Sequence, residues 1–309
     1  MTVMMKDKFH IPVDENILLA KKLVAQSIYD AAKLEGINTT FPETEAILEG
    51  INVPNARLDD ITTILNLRDA WRVLLSNIKN IKVDLKFIEK LNENVSRNES
   101  LEWGKLRSGQ VGIAGTGHRP PVPNRSKTAR DIDKIVGDTA SSTSEKAINL
   151  LLYVMYHQLF WDGNKRTAAL AANAILIRGG AGVLSVADSD LVEFNRLLSG
   201  YYNSGEAGDL ARFVYDKAIT DSGREIVDQN VGINVGINVG LKIPLNESEI
   251  GVLEAMSHNP FATAEEIARR IGKTDKTVER ATDELKKRGI IERIGSKKTG
   301  YWQISPVEK

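Results

Sequence analysis

Residues 156–176 read YHQLFWDGNKRTAALAANAIL, and the fold turns on how this stretch is read. An apolar helical run ends near Phe160, the turn Asp162-Gly163-Asn164 interrupts it, and an alanine-rich helical pattern leaves from Lys165. A helix that starts in such a turn presents unpaired N–H groups and a partial positive charge, which suits an anion. Gly163 can take a backbone conformation that lets phosphate oxygens approach those N–H groups. Lys165 and Arg166 add charge, and Arg166 can hold two phosphate oxygens at once. Asp162 alongside can hold a magnesium ion. Asp, Gly and Asn are also common in a solvated, capped turn, so the pentapeptide alone leaves both readings open.

Outward from this turn the pattern is mainly helical. Helices are predicted over 14–34, 58–79 and 83–95, each with apolar residues at helical spacing. Residues 104–125 are crowded with glycine and proline around a strand-like QVGIAG, which predicts an extended hairpin or flap followed by a turn. Ser142 and Glu145 stand at capping-box spacing before an almost continuous apolar run, the mark of a central covered helix. Helices are further expected from Lys165 to Arg178, over 188–200 and over 208–219. The stretch VGINVGINVG (231–240) reads as an extended linker or as a strand on another surface. From Leu245 onward, three helices and a hairpin turning at GSKKTG follow the winged helix-turn-helix order.

The 309 residues suggest about two domains, with 42% hydrophobic and 27% charged side chains, as in ordinary globular chains. Lys plus Arg and Asp plus Glu balance at 41 each, so a nucleic acid or membrane must be met by a local patch rather than a global field. The absence of cysteine excludes disulfides, thiol catalysis and cysteine-ligated zinc. No apolar run is long enough to cross a bilayer and no signal peptide is evident; a cytoplasmic location is expected.

The helix, cradle and alanine-rich helix resemble the Fic (Fido) family, whose core motif runs H-P-F-x-D-G-N-G/K-R-T. ESLEWGKLRSGQVGIAG is similar to the family's segment before the target-docking flap, HRPPVP to its proline turn, and KLEGINTT to its N-terminal inhibitory helix end, S-x-x-x-E-G. The resemblance spans about residues 14–220. It implies a phosphate site at Asp162, Gly163, Asn164, Lys165 and Arg166, with Mg2+ on Asp162 and ATP or another nucleotide as ligand. It also implies a general-base histidine that takes the proton of a target hydroxyl while that hydroxyl attacks a nucleotide phosphate. Most members transfer AMP; Doc toxins, with N-K-R-T-A as here, transfer a phosphate.

Aligned on Asp162-Gly163-Asn164, the base position falls on Gln158. His157 is one residue early, a rotation of about 100° on a helix. Gln has no proton-accepting state near neutral pH. Either the base is lost, or a helix bulge returns His157 to the site, or His157 is an interior imidazole. Glu35 matches the inhibitory glutamate, but the family's second arginine is Ala169 and the inhibitory serine is Ala31, so Glu35 is expected to lack its usual partner.

In the tail, Lys276, Thr277 and Arg280 on the third helix and Lys297 and Lys298 at the wing tip are the candidate DNA contacts. Asp275, Glu279, Asp283 and Glu284 interrupt that basic face, which keeps a protein-contact role open. Trp302 and Tyr301 are expected in the core of the hairpin rather than stacked on bases. The expected organisation is a mainly α chain: a Fic-type helical core with a small β-hairpin flap and an N-terminal inhibitory-type region (1–225), a Gly/Val/Ile/Asn-rich linker (226–244) and a winged helix domain (245–309). The expected function is a nucleotide-binding regulator that binds duplex DNA and has weak or no transferase activity. The alternatives are an active protein adenylyltransferase or phosphotransferase using ATP, and a protein-interaction scaffold. Expected partners are the nucleotide, duplex DNA, a protein target and a second copy of the chain, with no membrane.

Overall fold

The computed structural model describes residues 5–54, 56–222, 247–258, 262–288, 290–294 and 301–304. The chain divides into two compact units, Met1–Ile226 and Val227–Lys309. No helix among the described residues is long and apolar enough to cross a membrane.

In the first unit α1 (Val13–Leu34), α2 (Phe41–Leu48), α3 (Leu58–Ser76) and α4 (Leu85–Val95) precede α5 (Arg125–Gly137), α6 (Thr143–His157) and α7 (Asn164–Gly179). A short strand β1 (Val183–Leu184), α8 (Leu191–Ser204), α9 (Gly208–Phe213) and β2 (Ile219–Thr220) complete it. β1 and β2 pair antiparallel, Val183 opposite Thr220.

α7 is the hub. It packs against α6, α4, α1 and α3, and Ala168, Ala171, Ala172 and Ala174 are wholly covered. A helix apolar on nearly every face belongs inside a core, and its alanines let the neighbouring helices close in to interior packing density. α6 lies alongside it with Leu150, Leu151, Val154 and Met155 buried. The Ser142 hydroxyl caps α6 by accepting from the Glu145 amide at 3.1 Å, as the spacing predicts. The N-terminal arm ties both helices: Asp7 accepts from the Ser144 amide at 2.7 Å, and the Ile11 amide donates to the Gly180 carbonyl.

Two helices were not foreseen in the sequence. α2 is short and held by a full Thr40–Glu43 capping box. α5 buries only Thr128 and Ile132, too sparse a stripe to announce itself. The 104–124 segment forms an extended flap; it finds no ladder partner among the described residues, and the two-stranded sheet of this unit is β1–β2 instead.

The flap is fixed by Arg107, 1% exposed. Its guanidinium donates to the carbonyls of Gln158 (2.5 Å), Gly109 (2.5 Å), Pro120 (3.1 Å), Pro121 (2.7 Å) and His157 (3.3 Å). No carboxylate among the described residues pairs with it, and burial pushes its pKa below the usual arginine value. A buried cation is tolerated when hydrogen bonds replace its lost water, and here five backbone oxygens do so, joining the flap to the end of α6.

In the second unit α10 (Glu247–His258), α11 (Ala264–Ile271) and α12 (Asp275–Lys287) precede β3 (Ile291–Ile294) and β4 (Tyr301–Ile304). Thr263 and Glu266 make a capping box and Gly272 closes α11 in the left-handed conformation. β3 and β4 are antiparallel, Ile291 opposite Ile304. Val252, Leu253, Met256, Ile267, Val278, Leu285 and Ile291 form its own core. The repeat at 231–240 and the wing-tip Lys297 and Lys298 lie outside the described residues.

Arg107→Met strips donors from five carbonyls, and each unsatisfied buried group costs about 1–3 kcal/mol. The expected result is a thermal midpoint lowered by roughly 10 °C or more, with faster protease cleavage within 108–123 than elsewhere. Unchanged melting and cleavage would show that the flap is held by other contacts.

Candidate functional site

The turn between α6 and α7 is closed by one side chain. Asn164 Nδ2 donates to the Phe160 carbonyl and Asn164 Oδ1 accepts from the Phe160 amide, both at 2.9 Å. Phe160, fully buried, anchors the loop from the other side. The Asn164 side chain is therefore occupied in closing the turn, which leaves its backbone N–H as the group it could offer an anion.

Gly163 stands at φ +70°, and a Cβ there would meet Ser96 Oγ at 2.3 Å and Val95 Cγ1 at 2.8 Å. Both the left-handed backbone and the close approach of α4 require glycine. Asn92 and Ser96 fix the turn by donating to the Asp162 carbonyl at 3.0 and 3.1 Å. The Gly163 amide donates to Asp162 Oδ1 at 2.6 Å. The amides of Asn164, Lys165 and Arg166 are then the first-turn donors that intrahelical bonding leaves over.

α6 is α-helical through His157, and Gln158 follows it in the left-handed region (φ 44°, ψ 63°). That conformation, uncommon outside glycine and asparagine, turns consecutive side chains apart. Gln158 faces the cradle: its Oε1 accepts from Asn164 Nδ2 at 3.3 Å, and its Nε2 donates to the Met155 carbonyl at 2.6 Å and to the Tyr202 hydroxyl at 3.4 Å. His157 packs elsewhere, with ring centroids 4.4 Å from Tyr153 and 5.6 Å from Tyr156. Burial and then Lys127 push its pKa below the usual imidazole value, against Asp131. The bulge that would return His157 to the cradle is not present in α6. Burial, with Tyr201 and Glu35 nearby, holds the Tyr202 phenol far above its ordinary pKa, so that hydroxyl keeps its proton.

Arg166, 3% exposed, is the electrostatic centre. Its Nη1 donates to Glu99 Oε2 at 2.8 Å and to the Val95 carbonyl at 3.3 Å. Nη2 lies 3.5 Å from Asp162 Oδ2 and Nε 3.5 Å from Glu35 Oε1, and Nε makes no hydrogen bond. Burial alone would lower the guanidinium pKa, but Glu35, Glu99 and Asp162 outweigh it and hold it above the usual value.

Glu35 has no arginine at position 169 to pair with, but it does have other partners. In place of a second arginine at position 169, the cradle's own cations take it: Lys165 Nζ at 3.6 Å and Arg166. Lys165 also donates to the Leu34 carbonyl at 3.1 Å, so the negative end of α1 sits against the positive start of α7. Ala31 and Ala169 line a cavity of about 40 Å³ beside Lys165 and Arg166, large enough for water where polar groups such as Asp30 and Asn173 border it.

Glu99, Asn92 and Tyr202 were missed in the sequence. Glu99 sits in a polar loop indistinguishable from solvent-facing chain, whereas Asn92, a weak helix former on the covered face of α4, carried a signal.

In the second unit Lys276 and Arg280 are exposed on α12, one helical turn apart and on one face. Thr277 is partly occupied by the helix cap, its Oγ1 2.9 Å from Thr274 Oγ1. Trp302 packs on the domain core and is flanked by Lys286 at 4.9 Å and Arg293 at 4.7 Å from its ring.

Residues 82–176 match the Fic/DOC family and residues 245–292 match the winged helix-turn-helix DNA-binding family. The protein adenylyltransferase Fic of Drosophila persimilis is 26% identical over 203 residues, 63% of this chain and 39% of that protein. Its Drosophila melanogaster counterpart is 27% identical, over 63% of this chain and 41% of that protein. The chain thus spans about two fifths of the length of these relatives. Among solved structures, a Fic family protein from Desulfovibrio desulfuricans G20 superposes with a TM-score of 0.57 at 16% identity, covering 94% of this chain and 89% of that one. Fic-1 (residues 134–508) of C. elegans gives 0.55 at 22% identity, covering 65% and 62%. The chain carries a Fic/DOC domain of the Fic fold, followed by a winged helix-turn-helix domain.

Proposed function

We propose that this chain is a nucleotide-binding regulator with a DNA-binding winged helix, in which transfer of AMP or phosphate to a protein hydroxyl is feeble. The observation that carries this reading is the side chain facing the cradle, Gln158, whose amide accepts no proton near neutral pH. An imidazole lies one residue away, but α6 delivers it to Tyr153 and Tyr156. The curated relatives named protein adenylyltransferase Fic support ATP as the ligand.

Lys165, Arg166 and the first-turn amides of α7 would hold the phosphates. The Nε of Arg166, which makes no hydrogen bond and has only Glu35 Oε1 across 3.5 Å among the described residues, fits a closer anion, since a buried donor without a hydrogen bond is costly. Magnesium fits at Asp162, a half-exposed carboxylate whose Oδ2 reaches, among the described residues, only Arg166 at 3.5 Å; magnesium commonly takes one or two carboxylates plus substrate phosphates. Bound there, it would neutralise phosphate charge. That need is physical: two cations, Lys165 and Arg166, face three carboxylates, Glu35, Glu99 and Asp162. Glu35 occupies the edge of Arg166 that a phosphate would use, so binding requires it to yield.

Calorimetry with ATP and magnesium is expected to show binding that Glu35→Ala tightens and Arg166→Ala abolishes. Binding unaffected by Arg166→Ala would remove the phosphate site from this turn.

With radiolabelled ATP, the native chain is expected to label itself or lysate proteins only weakly, and Gln158→His to raise the signal by about 100-fold, the lower range for a restored general base. Strong labelling by the native chain that His157→Phe eliminates would establish an active transferase instead.

Fluorescence titration of the full chain with pooled duplex fragments is expected to show affinity that falls with salt. Lys276→Ala and Arg280→Ala should each weaken it and lower the salt slope by about 1 where they meet a phosphate. Salt-insensitive or absent binding would favour a protein partner for the winged helix.

A further inference from the structure

The carboxylate nearest to Arg166 is not Glu35. Glu99 Oε2 lies 2.8 Å from Arg166 Nη1 with hydrogen-bonding geometry, while Glu35 Oε1 stands off at 3.5 Å from Nε. Glu99 is itself held from α3: Asn66 Nδ2 donates to Glu99 Oε1 at 2.7 Å and to the Arg97 carbonyl at 2.8 Å. Asn66 and Arg166 are buried, so the chain Asn66–Glu99–Arg166 runs from the interior to the turn. The consequence lies in which edge of the guanidinium it uses. With Nη1 taken by Glu99 and by the Val95 carbonyl, the Nε–Nη2 edge is left facing Glu35 and Asp162 at 3.5 Å each, and Nε makes no hydrogen bond.

We infer that Glu99, oriented by Asn66, is a positioning residue that turns the Nε–Nη2 edge of Arg166 toward the cradle and keeps it from closing onto Glu35. The inference rests on the reading that the cradle binds phosphates. A guanidinium offers two parallel N–H donors in a fixed fork, and the fork recognises a phosphate only when its edge is aimed. Released from Glu99, the same fork can swing onto Glu35 in a paired geometry that is closer and harder to displace. Glu99 thus competes with Glu35 for one cation, and the phosphate benefits from the competition.

The sign of one substitution separates this from simple electrostatics. Glu99→Ala removes a negative charge beside the site, which by Coulomb's law alone tightens phosphate binding. A lost brace weakens it. Calorimetry with ATP and magnesium on the full chain is therefore expected to show affinity weakened about fivefold or more by Glu99→Ala, and less than about twofold when Glu35→Ala is already present, the size of coupling seen between residues in one network. Asn66→Ala, which changes no charge and leaves Glu99 in place, should weaken binding in the same direction; it keeps the test open should Glu99→Ala fail to fold by circular dichroism. Tighter or unchanged binding in Glu99→Ala and Asn66→Ala, with Arg166→Ala still abolishing it, overturns the brace and leaves the phosphate site standing. An equal loss in both Glu35 backgrounds also overturns it, since a merely structural role would not be relieved by removing Glu35. No binding by the native chain or by Glu35→Ala removes the phosphate reading, and the brace with it.

Discussion

A guanidinium in the interior is the constraint around which this core is arranged. Arg166 is 3% exposed, and a charge taken out of water is stable only when partners replace the solvent. Three elements send them: α1 through Glu35, the loop after α4 through Glu99, and the cradle through Asp162. The carbonyl of Val95 supplies a fourth contact. Because Glu35 and Glu99 come from segments far from Arg166 in sequence, satisfying one cation fixes the mutual placement of α1, α4 and α7. The same cation stands at the start of a helix, where the backbone already favours negative charge. In the proposed reading, structural and binding roles fall on one side chain, and the carboxylates that stabilise the fold are the groups a phosphate would meet.

The cradle is a backbone device before it is a chemical one. Asn164 closes the turn onto Phe160, Asn92 and Ser96 hold the Asp162 carbonyl, and Gly163 permits α4 to approach. Arg107 performs the matching task on the other flank, gathering the end of α6 and the flap through carbonyls alone. The left-handed step at Gln158 separates two neighbouring side chains, one facing the turn and one embedded among tyrosines. Which residue meets the cradle is thus set by a single pair of backbone angles.

The second unit has its own core and caps, and its candidate contacts are few. Lys276 and Arg280 share a face of α12, but Thr277 is drawn into the cap with Thr274. Lys286 and Arg293 bracket Trp302, which engages two of the domain's cations with an aromatic ring rather than leaving them wholly to solvent.

The sequence by itself determined the helical core, because the apolar periodicity of α1, α3, α4, α6 and α7 is strong and local, and it marked the turn between α6 and α7, while the pentapeptide alone left a phosphate cradle and a solvated, capped turn both open. Counting from Asp162-Gly163-Asn164 against the family motif led to the expectation that Gln158 rather than His157 holds the base position; the tertiary structure turns Gln158 toward Asn164 and packs His157 on Tyr153 and Tyr156. Short or weakly striped α2 and α5 escaped, having too few apolar residues to show a period. The partners of charged groups were decided only by the tertiary structure. Ala169 implied that Glu35 lacks its usual arginine partner, and only packing shows that Lys165 and Arg166 are close enough in space to take it. Glu99 reads as a surface residue until the loop after α4 folds over Arg166, and Arg107 reads as an exposed cation until five carbonyls enclose it. Periodicity is written along the chain; the pairing of a charge depends on which distant segment packing brings within about 4 Å.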